Sequence, residues 1–170
     1  MPNESKSLIP TNYFLEQGYI FVSTRPAVIS AVLGSCVAVA LYDRKRMVGG
    51  MNHFQLPCAQ EKQQATARYG DAATLALIRI MISNGSKTKH LEAQIFGGAY
   101  DRGVCPRNIG RENAMIARKI LRKHRIRITS EDVGGEMGRK VVFQTDSNKT
   151  AVLKVDKLRK SDWYPYEDDR

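Results

Sequence analysis

Cysteine, histidine and tryptophan are scarce in this chain of 170 residues, which holds three Cys, three His and one Trp. Cys36, Cys58 and Cys105 are odd in number and widely spaced, so at least one thiol lacks a partner and a disulfide framework is excluded. No CxxC occurs, and neither His90 nor His124 lies at a short ligand spacing from another Cys or His, so no metal site is expected. Also missing is any run of 18 apolar residues, and with it any expectation of membrane insertion. The opening stretch MPNESKSLIPTNYF lacks the charged and apolar regions of a secretory signal, which makes the cytoplasm the expected location. Neither glycine pair, Gly97–Gly98 nor Gly134–Gly135, carries a GxGxxG or GxxxxGK pattern; both read as turns, and no cofactor is expected.

What is present is the composition of a globular protein, 42% hydrophobic and 26% charged, at a length that one hydrophobic core can serve. A single domain over residues 1–170 is expected, with its core at about 18–155. The formal charge of +10 is concentrated in RNIGRENAMIARKILRKHRIR (107–127), where eight Lys or Arg stand against one Glu. Such a stretch is either a solvated helix face or a landing surface for an acidic partner. Aromatic residues do not interleave with it, and charge alone gives only non-specific affinity for nucleic acid, so specific nucleic-acid binding is not expected. No long apolar heptad run is present, and a monomer is expected.

The first half alternates in the manner of strands: GYIFVS (18–23), AVISAVL (27–33), CVAVALYD (36–43) and RMVGGMNHF (46–54). A polar loop follows. Asp71 is placed as the N-cap of the helix AATLALIRIMISN, with Gly85 as its stop. LEAQIFGGA (91–99) reads as a buried strand ending in a glycine turn, and a second helix runs from about Asn108 to His124 with Ile109, Ile116 and Ile120 on one stripe. RKVVFQT, DSNK and TAVLKV form a terminal hairpin, and the tail SDWYPYEDDR is irregular. Strands outnumber helices and the helices are interspersed, so the fold class is α+β: mostly antiparallel sheets packed with two main helices.

If 36–43 and 46–53 pair as a hairpin centred between Arg44 and Lys45, Cys36 lies directly opposite His53, with Cβ atoms about 4.5–5.5 Å apart. Ala38 and Ala40 share the face of Cys36, which is therefore lined with small residues. Gly49 and Gly50 are where a bulge could shift this register. The chemistry suited to such a pair is nucleophilic attack on an acyl carbon: the imidazole takes the thiol proton and later returns a proton to the leaving amine. The turn Leu33-Gly34-Ser35 ahead of the thiol leaves backbone N–H groups for a developing oxyanion. The competing use of Cys36 is that of a buried, inert thiol.

LGSCVAVALYD, GGMNHFQLP, YGDAATLALIRIM, IFGGA, IGREN and EDVGG with GR resemble, in order and spacing, the CheD family of chemoreceptor glutamine deamidases, from about residue 18 to residue 155. The resemblance implies a cysteine hydrolase that converts glutamine side chains of methyl-accepting chemotaxis receptors to glutamate through a thioester, with release of ammonia. It makes Cys36 the nucleophile and His53 its base. In the family a threonine six residues before the cysteine orients the histidine; here that position is Ser30, which keeps the hydroxyl. A continuous strand would put Ser30 roughly 20 Å from Cys36, so the chain is expected to bend, at Gly34. Relatives in the family also bind and stimulate the chemotaxis phosphatase CheC, so a non-catalytic CheC-binding module is the alternative role.

Overall fold

The computed structural model describes residues 9–156. Nine strands and two main helices follow one another: β1 (Thr11–Phe14), β2 (Tyr19–Ser23), β3 (Ala27–Leu33), β4 (Val37–Asp43), β5 (Val48–His53), α1 (Gly70–Ser83), β6 (Leu91–Gly97), α2 (Ile109–Lys123), β7 (Arg127–Val133), β8 (Gly138–Gln144) and β9 (Thr150–Val155). They form a four-stranded sheet of order β1-β3-β8-β9 and a five-stranded sheet of order β2-β5-β4-β6-β7. Both sheets are mixed: β1 runs parallel to β3 and β7 parallel to β6, while every other pairing is antiparallel. The expected α+β class holds. The tail SDWYPYEDDR lies outside the described residues.

Three layers result, because the central strand β4 is buried on both faces. Val37, Val39 and Leu41 pack against α1 and α2, together with Leu77, Ile78, Ala117 and Leu121. Cys36, Ala38, Ala40 and Tyr42 face the other sheet, where they meet Ile29, Ala31, Leu33, Val141 and Phe143, with Met51 of the neighbouring β5 on the same face. This is why the run from 36 to 43 reads as continuously apolar; a strand covered on both sides has no solvent face to keep polar.

Helix ends follow local rules with one exception. Asn108 caps α2 by accepting the N–H of Arg111 at 2.9 Å. At the far end of α1, Gly85 (φ 100°) donates to Ile82 and Ser86 donates to Met81, the paired bonds of a Schellman turn. Asp71 does not cap α1: the N-cap is Tyr69, and the Asp71 carboxylate accepts from its neighbour Ala72 at 2.7 Å inside the first turn. A negative charge there still complements the helix dipole.

The β4–β5 hairpin departs from the expected register. Asp43 pairs with Val48 and Ala40 with Met51, so the loop is Arg44–Met47. The Asp43 carboxylate accepts from Lys45 and Arg46, at 2.9 and 3.1 Å, and Met47 takes a positive φ of 53°. Together they place the turn centre one residue later and move the pairing by two. Gly49 and Gly50 form no bulge. They permit close packing instead: a Cβ on Gly50 would stand 2.6 Å from Cγ2 of Val22, and one on Gly49 would stand 2.9 Å from the Leu41 carbonyl oxygen.

Candidate active site

Between β3 in one sheet and β4 in the other, the chain crosses at Gly34-Ser35-Cys36, the bend expected at Gly34. All three carbonyls of this crossing are held. Ala99 N–H donates to Gly34 O at 2.9 Å, and Gly98 N–H donates to Cys36 O at 2.8 Å. The Asn113 side chain, from the buried face of α2, donates to Ser35 O at 3.0 Å and to Gln55 O at 2.8 Å. By contrast, no described residue accepts the N–H of Gly34 or Ser35. Anchored carbonyls with unspent N–H groups beside a thiol are the components of an oxyanion hole. The glycines of IFGGA serve the same crossing: Gly97 has φ 104°, and a Cβ there would lie 2.2 Å from Cys36 O. A cavity of about 380 Å³ opens beside Gly34 and Ser35, walled by Tyr100, Val104 and Ile109.

Cys36 and His53 share one face without being directly opposed. The ladder continues past β4 through the Val37–Phe54 bridge, which sets His53 across from Ala38. Cys36 is thus the diagonal neighbour of His53, a relation that spans about 7–8 Å between backbones and less between side chains. A shift of one would have turned them to opposite faces; a shift of two keeps them together. The His53 ring is 2% exposed. Its Nδ1 lies 3.0 Å from the Leu15 carbonyl oxygen, which makes Nδ1 the donor and Nε2 the acceptor. Nε2 is buried and has no hydrogen-bond partner among the described residues.

The thiol is 8% exposed. Burial pushes it up to about 11, partly offset by its own main-chain N–H. Burial likewise pushes His53 down to about 4, partly offset by the Leu15 carbonyl. Both groups are therefore neutral at rest near pH 7, a thiol beside an imidazole. One further group touches the sulfur: Oε1 of Gln17, an exposed residue of the β1–β2 connection, lies 3.6 Å from Sγ. That same Oε1 accepts from Nε2 of Gln55, and Gln55 Oε1 accepts from Nε of Arg68 at 2.9 Å.

Ser30 stands elsewhere. On β3 the residues Ile29, Ala31 and Leu33 face the interior between the sheets, so alternation turns the Ser30 side chain to the outer face. Among the described residues its hydroxyl makes no hydrogen bond to His53. Among the described residues Ser30 is linked to the histidine through main chain: its carbonyl accepts from Leu15 N–H at 2.8 Å, and the Leu15 carbonyl meets the ring.

Leu15, Gln17 and Asn113 are site residues that sequence reasoning did not find. Leu15 acts through its carbonyl and Gln17 from a loop, and neither leaves a pattern. Asn113 leaves one, a polar residue among Gly110, Ala114 and Ala117 on the buried stripe of α2. The glycine and arginine motifs near the end of the chain are structural. Arg139, 2% exposed, donates to Asp132 at 2.9 Å and to Gly134 O at 2.6 Å. The basic side of α2 contributes Lys119, Arg122 and Lys123 to a groove that also holds the exposed Met115. Arg118 is committed to Glu131 at 2.7 Å.

Comparison with known proteins agrees with the motif reading. The family model described as CheD chemotactic sensory transduction matches residues 55–154, starting just after His53. A protein of Sulfurimonas denitrificans called probable chemoreceptor glutamine deamidase CheD is 38% identical over 147 residues, covering 85% of this chain and 94% of its own. One of Anaeromyxobacter dehalogenans, called probable chemoreceptor glutamine deamidase CheD 1, is 43% identical over 144 residues, covering 84% of each chain. Both alignments are longer than the family-model match. Among solved structures, the hypothetical protein YfiH of Bacillus licheniformis aligns with a TM-score of 0.46 and 16% identity, over 66% of this chain and 49% of that one, too slight a likeness to argue from. Among the described residues no helix is long and apolar enough to cross a membrane.

Proposed function

The chain belongs to the CheD family, and from that premise we propose that it is a chemoreceptor glutamine deamidase working by covalent catalysis at Cys36. The observation that carries this reading is the carboxamide oxygen already resting 3.6 Å from the Cys36 sulfur, on the face that His53 shares. A site that receives that group beside a thiol and an imidazole acceptor fits glutamine hydrolysis.

The reaction runs in two halves. The receptor carboxamide takes the place of Gln17, and Nε2 of His53 removes the thiol proton as sulfur attacks the carbonyl carbon. The N–H groups of the Gly34–Cys36 crossing stabilise the oxyanion. Collapse to the thioester expels ammonia with a proton returned by His53, and His53 then activates the water that frees glutamate. Because burial keeps thiol and imidazole neutral at rest, the charge separation develops only along the reaction path. Leu15, through its carbonyl, fixes the ring tautomer, and Ser30 contributes by holding the Leu15 main chain. The basic groove on α2 suits an acidic helical receptor surface.

The test is mass spectrometry of receptor cytoplasmic fragments incubated with the protein and with Cys36→Ala. Glutamine converted to glutamate by the first and untouched by the second is the expected result. A folded wild-type protein that converts no glutamine across several receptors would remove the enzymatic reading.

A further inference from the structure

Gln17 places a primary carboxamide of this chain on the nucleophile, and the contact is built from both sides. Its carbonyl oxygen faces Sγ of Cys36 at 3.6 Å and accepts from Nε2 of Gln55. Because Gln55 Oε1 is occupied by Nε of Arg68 at 2.9 Å, the Gln55 amide has one orientation, NH₂ toward Gln17. The backbone on either side of Gln17 is tied to the histidine as well. Leu15 O meets His53 Nδ1 at 3.0 Å, and Gly18 N–H donates to His53 O at 2.7 Å. The connection cannot drift from the site without breaking these bonds, whereas the exposed Gln17 side chain can swing.

We propose that Gln17 is a substrate of its own active site, deamidated to glutamate by Cys36; this rests on the deamidase reading and extends it to the chain itself. A turn about the upper side-chain torsions of Gln17 carries Cδ in front of the sulfur and leaves Oε1 against the Gln55 amide. The S–C bond forms as the thiol proton passes to Nε2 of His53, and the oxyanion on the former Oε1 keeps its donor from Gln55. The C–N bond then breaks, nitrogen takes the proton from His53, and ammonia leaves. Water attacks the thioester, restoring the thiol and leaving a carboxylate at position 17. One water is consumed, one ammonia is released, and nothing is oxidised or reduced. A tethered amide has an effective concentration that free receptor segments must exceed. Its product places a negative charge beside Cys36, which disfavours the thiolate and slows later turnovers.

The experiment follows residue 17 in the full-length protein by fragment-ion mass spectrometry, from fresh to incubated samples, in wild type, Cys36→Ala and Cys36→Ser. Receptor fragments are assayed in parallel, and Asn12 on the same tryptic peptide reports uncatalysed deamidation. Glutamate at position 17 should accumulate in the wild type and be lost in both variants while Asn12 behaves alike in all three. Receptor glutamines converted with Gln17 left intact would overturn the inference and leave the deamidase reading standing. Equal conversion of residue 17 in the cysteine variants would also overturn it, as spontaneous chemistry. A wild type that converts neither would remove the deamidase reading and this inference together.

Discussion

The two faces of β4 carry different side chains for different ends. Toward the helices stand Val37, Val39 and Leu41, bulky residues in contact with α1 and α2. Toward the second sheet stand Cys36, Ala38 and Ala40, with His53 across from Ala38. The first face buries area and stabilises the layer stack. The second face keeps side chains small next to the thiol, as the proposed attack on a carboxamide requires. One strand thus separates stability from chemistry by alternation alone, and substitutions on its two faces should fail in different ways.

The largest effect is expected on the small face. Cys36→Ala should abolish glutamine conversion with a near-native unfolding curve, and His53→Gln should lower kcat by roughly 10²–10⁴-fold. On the bulky face, Leu41→Ala should cost about 2–5 kcal/mol in urea unfolding, while the folded fraction retains its kcat. A Leu41 variant that is stable but inactive would break the division between the faces.

Acid should act through the small face as well. His53 is pushed down from 6.5 to about 4 by burial, so the unfolded chain binds a proton that the folded one refuses. That stability is fully present above pH 6.5 and drains away as pH falls toward 4, by on the order of 3 kcal/mol. Urea midpoints of wild type and His53→Gln, compared at pH 7 and pH 4.5, should show the extra loss only in the wild type. Equal losses would mean that His53 is not held neutral by burial.

Asn113 ties the chemistry face to α2. Asn113→Ala leaves the Ser35 and Gln55 carbonyls without their donor, costing about 1–3 kcal/mol and lowering kcat more than it raises KM, because the oxyanion donors lose their fixed position. The smallest effect is expected at Ser30, whose side chain lies on the outer face of β3. Ser30→Ala should change stability by less than about 0.5 kcal/mol and leave kcat within a few-fold. A loss as large as that of His53→Gln would restore the hydroxyl to the orienting role that the family resemblance implies.

Much of this was legible from residues. Cys36 and His53 share a face in the expected register and in the observed one, because strand alternation is insensitive to an even register error and the Arg44–Met47 loop introduced an error of two. α2 was bounded to within a residue by its Asn108 cap. The strands missed, β1 and β7, are both sheet edges in parallel pairings. Parallel partners have no hairpin turn to announce them, and TNYF and RITSEDV are too polar to read as buried. Asp71 was placed as a cap because its residue type favours that position, whereas the strand-like Tyr69 takes it. The unread part of the site, Leu15, Gln17 and the Gln55–Arg68 pair, consists of main-chain and loop contacts made across the fold.

The most direct test of the central claim, covalent catalysis at Cys36, is deamidation of a receptor fragment in the presence of hydroxylamine. A thioester should partition between water and hydroxylamine, so glutamyl hydroxamate should appear at the same glutamines that become glutamate, and neither product should form with Cys36→Ala. Glutamate formed without any hydroxamate, or formed by the folded Cys36→Ala protein, would contradict the account.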